Sequence, residues 1–225
     1  MKLLSKILIW FCISLLASKV SAESFSAKYK VSTKNLTIGL LFWDLKKNDK
    51  TYELNIELKS KGLLSSIFKF NGSYAVRGFL KDGAFIPHHY TQKWLTKKKK
   101  RDLQISFEKN KVFSLLQQPA EKEFSRIRLD LLRNYTDPLT SFIKLLSGIS
   151  ESKTIDGRRI YILSLIEENK ATNMKTYGIK NYLNVWTDHK RNDLEKISII
   201  SEPNSYLPEA IYINFKKQVF RLLKD

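Results

Sequence analysis

The chain has 225 residues, 43% hydrophobic and 12% aromatic, with 40 Lys and Arg against 22 Asp and Glu and a single cysteine. That composition excludes intrinsic disorder, a collagen-like repeat and a disulfide scaffold, and it supplies apolar mass for one or two domains. The formal charge of +18 should attract anions, although a Lys-rich surface can also be a basic shell with no partner behind it.

The first segment carries a short basic start at Lys2 and Lys6, an apolar run from Ile7 to Ala17, and small residues at the end of Val20-Ser21-Ala22. It reads as a secretory signal peptide over residues 1–22, cleaved after Ala22, because the run is shorter than the roughly 20 apolar residues that span a bilayer. Cys12 lies inside that run behind Trp10-Phe11, so it does not fit a lipid-attachment site, and the mature chain has no cysteine. Losing Lys2, Lys6 and Lys19 takes the charge from +18 to +15. An exported domain without disulfides points to a periplasm, where the available anions are phospholipid head groups and envelope polymers rather than nucleic acid.

Period-two alternation dominates residues 23–225, which read as one domain. Phe25, Ala27, Tyr29 and Val31 share one strand face, as do Tyr52, Leu54, Ile56 and Leu58. Between them Leu36 to Leu45 is apolar on both faces around Gly39, a strand buried twice over or one that lets another group approach at the glycine. Asn48-Asp49 makes a turn, and Gly62 to Phe68 reads as an apolar loop over the sheet or a lip beside a cavity. Strands follow at 70–79, 84–95, 102–108 and 111–117, separated by Lys81-Asp82-Gly83, by a basic run and by Lys109-Asn110.

One helix is well punctuated. Asp137 suits an N-cap, Pro138 the first helical position and Gly148 the C-terminal stop, while Leu139, Phe142, Ile143 and Leu146 repeat at helical spacing. The expectation is a helix over about 138–147 that lays one apolar stripe on a sheet. Strands resume at 159–166, 179–187, 196–201 and 209–220. The fold class is therefore mainly β: a single strongly curved antiparallel sheet or half-barrel with one inserted α-helix. Pattern alone leaves open whether it closes and whether its concave face is a filled core or a ligand cavity.

Several short motifs in this order resemble the DUF3108 family of exported bacterial proteins. They are Gly39, Pro87 and Tyr90, Asp137-Pro138-Leu139-Thr140-Ser141, Asp156-Gly157-Arg158-Arg159-Ile160-Tyr161, Tyr177-Gly178, Trp186 and Leu207-Pro208, covering most of residues 25–220. The resemblance implies a periplasmic, mainly β domain of unknown function with no catalytic residues to carry over. Members often have a cysteine shortly after the position of Gly178, and Ile179-Lys180-Asn181 has none. A curved sheet with one helix is also similar to the half-barrel of lipoprotein carriers, an analogy of fold only.

Candidate site residues follow from strand parity and charge. Leu40, Phe42, Ile56, Leu58, Tyr74 and Trp186 are read as lining an apolar concave face. Arg158 and Arg159 should start a strand with one guanidinium on each side; an inward Arg159 would pair with Asp137 or another carboxylate, or grip an anionic ligand group bidentately. Lys97, Lys98, Lys99, Lys100 and Arg101 form a basic hairpin tip suited to solvation or to an anionic membrane surface. His88 and His89, as neighbours in a strand, should face opposite ways, and His189 stands apart, so no metal set is read. With no Gly-x-Ser-x-Gly, no mature thiol and Asp188-His189 only a neighbouring pair, no catalytic set and no cofactor are expected. The expected protein is a periplasmic, monomeric, non-catalytic binding or chaperone-like protein for an apolar or amphiphilic envelope molecule. Its rivals are a structural envelope protein with a filled core and a hydrolase of envelope glycans, whose paired carboxylates would be invisible in sequence.

Overall fold

The computed structural model describes residues 22–61, 69–186 and 193–225. Apart from Ala22, the expected signal segment lies outside these residues, as do Gly62 to Phe68 and His189. Seven strands form a first meander: β1 (Glu23–Thr33), β2 (Leu36–Lys47), β3 (Thr51–Ser60), β4 (Phe70–Lys81), β5 (Ala84–Thr96), β6 (Lys100–Glu108) and β7 (Lys111–Gln118). After a 3-10 turn at Leu129–Leu131 come β8 (Tyr135–Thr136), the helix α1 (Pro138–Leu146) and β9 (Glu151–Ile155). The second meander continues through β10 (Arg159–Asn169), β11 (Met174–Asn184), β12 (Leu194–Ile200), β13 (Ala210–Phe215) and β14 (Gln218–Lys224).

All belong to one sheet, ordered β7-β6-β5-β4-β3-β2-β1-β14-β13-β12-β11-β10-β9-β8. The two meanders are joined by β1 against β14, with Val31 opposite Leu222. At the far ends the sheet nearly meets itself: Lys111 bridges Arg133, Val112 N–H donates to the Leu132 carbonyl at 3.3 Å, and Asn134 N–H donates to the Asn110 carbonyl at 2.8 Å. These bonds narrow the seam of a barrel and cover part of its two exposed edges.

The hairpins use two-residue turns with positive φ, at Lys34-Asn35, Asp82-Gly83, Lys109-Asn110 and Lys216-Lys217. The last of these divides the run expected as one strand over 209–220 into β13 and β14. Two lysines carry no turn signature, so only the pairing of Phe215 with Gln218 reveals the reversal. A second departure concerns His88 and His89. The register shifts after Arg77, where Gly78 pairs with Pro87 but Arg77 pairs with His89. The bulge puts both rings outside the barrel, His88 against the exposed Phe79 at 5.5 Å and His89 Nδ1 at 3.2 Å from Ser106 Oγ. Burial, then Arg77 and His88, lower the pKa of His89.

β2 is not buried on both faces, since Leu36 is 55% exposed; at Gly39 it lets another group approach. A Cβ there would lie 2.6 Å from the Lys59 carbonyl oxygen, so β2 and β3 approach more closely than a side chain would allow.

The helix starts and stops where expected, but its surroundings differ. Asp137 Oδ1 accepts the Leu139 and Thr140 N–H groups at 2.9 and 3.0 Å, and Gly148 has φ +93° past the last turn. Instead of one stripe on a sheet, Leu139, Thr140, Ser141, Ile143, Leu145 and Leu146 are all buried, because α1 runs inside the barrel. Trp43 meets Phe142 edge-on at 5.8 Å, and the Tyr177 hydroxyl donates to the Leu145 carbonyl at 3.4 Å. The polar side of α1 survives burial through hydroxyl partners: Ser141 Oγ lies 2.7 Å from both Thr136 Oγ1 and Thr154 Oγ1.

Candidate functional site: the upper lumen

Turns 34–35, 96–99, 157–158 and 216–217 mark the upper end of the barrel, and turns 48–50, 82–83 and 109–110 the lower end. The lower interior is solid. Tyr29, Leu45, Tyr52, Leu54, Val76, Phe85 and Tyr90 are each no more than 2% exposed. Tyr206, from the loop before β13, closes this end against Phe25 and Phe85, while the Tyr29 hydroxyl donates to the Pro208 carbonyl at 2.8 Å.

A buried polar chain crosses the filled half. The Thr140 hydroxyl donates to Asp137 Oδ2 at 2.5 Å, which leaves Tyr52 Oη, 2.7 Å away, to donate to Thr140. Asp137 is completely buried, and burial outweighs its hydrogen bonds, so its pKa is pushed up to about 6. Tyr52 is pushed up as well, by burial and then by the nearby Asp137.

The upper interior is different. On the same inward faces Leu58, Tyr74, Gln92, Trp94, Leu115 and Phe220 are only half-buried. Polar atoms around them, Gln117 Nε2, Thr33 Oγ1 and the Nε atoms of Arg158 and Arg159, are buried without a hydrogen-bond partner. Unpaired buried donors of this kind cost about 1–3 kcal/mol each. Most of them lie around the upper interior; in the lower half Trp43 Nε1, beside α1, is also without a partner.

The upper rim is built on one turn. Asp156 Oδ1 accepts the N–H groups of Arg158 and Arg159 at 3.0 and 2.8 Å, and Gly157 has φ +87°. A Cβ at Gly157 would lie 2.5 Å from Leu103, which seats the turn directly on the inward face of β6. Trp186 Nε1 donates to the Gly157 carbonyl at 2.9 Å. Burial raises the pKa of Asp156, against the opposing effect of Arg159.

The sequence-derived residues divide between these surroundings. Ile56, Leu58 and Tyr74 face inward, and Trp186 braces the rim. Leu40 and Phe42 do not join them: they sit on the outer face opposite Lys59 and Glu57, and Phe42 is 39% exposed under Lys59. Their inward counterparts are Leu41 and Trp43, paired with Leu58 and Ile56. Residues 36–45 are apolar on both faces, so alternation inside β2 could not choose between them; its register with β3 does. Arg159 faces inward beside the Tyr182 ring, at 5.6 Å from the ring centre. It pairs with Asp193 at 3.3 Å and Asp156 at 3.7 Å rather than with Asp137, whose carboxylate is consumed by the helix start.

The basic hairpin also divides. Lys97, Lys98 and Lys99 are exposed on a turn whose Lys98 and Lys99 N–H groups are accepted by Thr96 Oγ1. Lys100 faces outward near Asp102 at 3.6 Å, along a groove of ≈ 520 Å³ that also meets Lys59, Ser73 and Lys93. Arg101 belongs to neither surface: it shares the inward face of β6 with Leu103, and burial and then Arg158 disfavour its charge. A block of five cations in sequence is thus not one surface, because alternation sends Arg101 inside.

Sequence reasoning missed Gln92, Trp94, Leu115, Gln117 and Tyr182. For the first two the signal was available, since they continue the parity of Tyr90. Gln117 and Tyr182 follow bulges in the β6–β7 and β10–β11 registers that no pattern announces. Among the described residues no group of three or more His, Cys, Asp or Glu is placed to hold a metal ion, and no helix is long and apolar enough to cross a membrane.

A family model described as a protein of unknown function, DUF3108, matches residues 25–204. Among solved structures the chain is similar to a β-barrel-like protein of the DUF1849 domain of unknown function from Brucella abortus. The TM-score is 0.53 at 10% identity, covering 89% of this chain and 95% of that one. No curated protein matches significantly. The structural likeness concerns the barrel-like fold alone.

Proposed function

The chain belongs to the DUF3108 family, and because that membership carries no activity, we propose from the lumen itself that it is an exported, non-catalytic binding protein for an amphiphilic envelope molecule. The molecule's apolar part lies in the upper lumen against Leu58, Tyr74, Trp94 and Leu115. One observation carries this reading: a single set of strands buries its inward side chains completely around α1 but leaves them half-open above it. A concave, mainly apolar space with a few convergent polar groups is what small-molecule recognition requires. Export is supported by the signal-like segment and by β1 starting at Glu23, the first residue after the expected cleavage. N-terminal sequencing of protein extracted from cells should give Glu23; an intact Met1 would remove this part of the reading.

Native mass spectrometry of the chain purified from its host tests the binding. The expected result is a second species heavier by one lipid-sized adduct, converted to the bare chain by detergent. Bare chain alone, unchanged after incubation with envelope lipid extract, would favour the second reading: a structural envelope protein whose interior is its core. The solidity of the lower half is what speaks for that alternative.

A further inference from the structure

We infer that the upper rim reads an anionic head group, so that the amphiphile is an acyl chain ending in a carboxylate or phosphate, held chain-down with its charge at Arg101. The inference rests on the lumen reading and adds to it the chemistry of the ligand's charged end.

Three arginines are brought near one another here because of the way the chain is folded. Gly157 rests on Leu103, whose neighbour on the same face of β6 is Arg101, so the turn carrying Arg158 and Arg159 is brought beside a third arginine from a strand more than fifty residues earlier. Their carboxylate partners are unevenly shared. Arg159 has Asp156 and Asp193, and Arg158 has Glu121. Arg101 makes no ion pair within 4 Å among the described residues; burial, Arg158 and Arg159 disfavour its charge, and Glu121 and Asp156, already engaged by Arg158 and Arg159, offset this only in part. A partly desolvated cation beside like charges is costly unless an anion meets it.

The neighbours of Arg101 supply further donors and an apolar floor. Gln117 stands opposite Leu103 on β7, and its Nε2 is buried without an acceptor, as are Nε of Arg158 and Nε of Arg159. Trp94 pairs with Arg101 across β5 and β6, stacks on Phe70 at 5.6 Å, and lies on the inward face that continues to Gln92 and Tyr90. An oxyanion accepting from Arg101 and Gln117 would therefore have its attached chain over Trp94 and Tyr74. Guanidinium and amide donors beside an aromatic wall suit a planar or tetrahedral oxyanion on an apolar tail.

The test uses the purified protein after removal of co-purified lipid and three probes: a naturally fluorescent polyene fatty acid, its methyl ester, and inorganic phosphate as a competitor. The wild-type chain should bind the acid about tenfold more tightly than the ester, as one charge-assisted contact predicts. Arg101→Gln should abolish that preference, whereas Lys30→Gln, the same loss of charge on the outer face, should keep it. Phosphate should displace the acid only weakly. Equal binding of acid and ester would overturn the inference while leaving the lumen reading intact. Binding of neither probe would overturn both. Displacement by phosphate at the acid's own concentration would show a bare anion site and overturn the amphiphile assignment.

Discussion

Along β3 the inward side chains run from Tyr52 and Leu54, at 2% and 0% exposure, through Ile56 at 7%, to the half-buried Leu58. The same gradient appears on β5, from the closed Tyr90 to the half-open Gln92 and Trp94, and on β14, from Leu222 up to Phe220. Strand composition is not what separates the two halves, since both ends carry apolar and aromatic residues. The separating element is α1, which occupies the lower interior and meets the hydroxyls of Tyr52, Thr136, Ser152 and Thr154. A curved sheet of this size cannot fill its own interior with side chains alone. One nine-residue helix fills one half, and in the other half the inward side chains stay partly exposed.

The largest effect that breaks this contrast is truncation on a single strand. Leu54→Ala should cost about 4 kcal/mol in urea unfolding, within the range for a core leucine leaving a cavity, while Leu58→Ala should cost about 1 kcal/mol because its site is already half-open. Similar losses at both positions would show that the upper half is packed like the lower.

The next effect is the pH dependence of stability. The pKa of Asp137 is about 6 in the folded chain against an ordinary 3.8. A carboxyl whose pKa is raised binds its proton more tightly when folded, so its contribution favours folding at low pH and is lost as pH rises from about 4 through 6. That amounts to about 3 kcal/mol from this one group. Unfolding of Asp137→Asn should lack that slope, while wild-type stability should fall across this window relative to the variant.

Asp137→Ala should cost about 2 kcal/mol at neutral pH, through the lost helix cap and the stranded Thr140 and Tyr52 hydroxyls, and Asp137→Asn should cost less because its amide oxygen still accepts both N–H groups. Thermal unfolding of the pair, scored by circular dichroism, separates them. The smallest effect belongs to the exposed turn: changing Lys97, Lys98 and Lys99 together to Gln should move stability by less than about 0.5 kcal/mol, since all three residues are exposed.

Most strands, the helix and its caps were legible because they depend on local chemistry: alternation, Asp137-Pro138 at one end and Gly148 at the other; β9 and the reversal at Lys216-Lys217 were not. The near-closure of the barrel was not, because it depends on Lys111 meeting Arg133 and β1 meeting β14 across the length of the chain. The same distinction holds at the site. Ile56, Leu58 and Tyr74 lie on strands with one polar face, so parity alone sets their inward direction. Leu40 and Phe42 lie on a strand apolar on both sides, and only its register with β3 reveals that they point out. Arg101 was hidden among lysines, and its inward direction follows from its place two residues before Leu103 rather than from its charge.

The claim that the interior is filled below and open above is tested most directly by enlarging, rather than shrinking, the same two side chains. Leu54→Trp forces a larger ring into a fully packed site and should destabilise by about 3 kcal/mol, the upper end of overpacking costs. Leu58→Trp should cost less than about 1 kcal/mol and should block amphiphile binding by occupying the lumen. Chemical unfolding of both variants beside wild type gives the answer: well-separated midpoints, with Leu54→Trp the lower, are the predicted result, and equal losses at the two positions would contradict an open upper lumen.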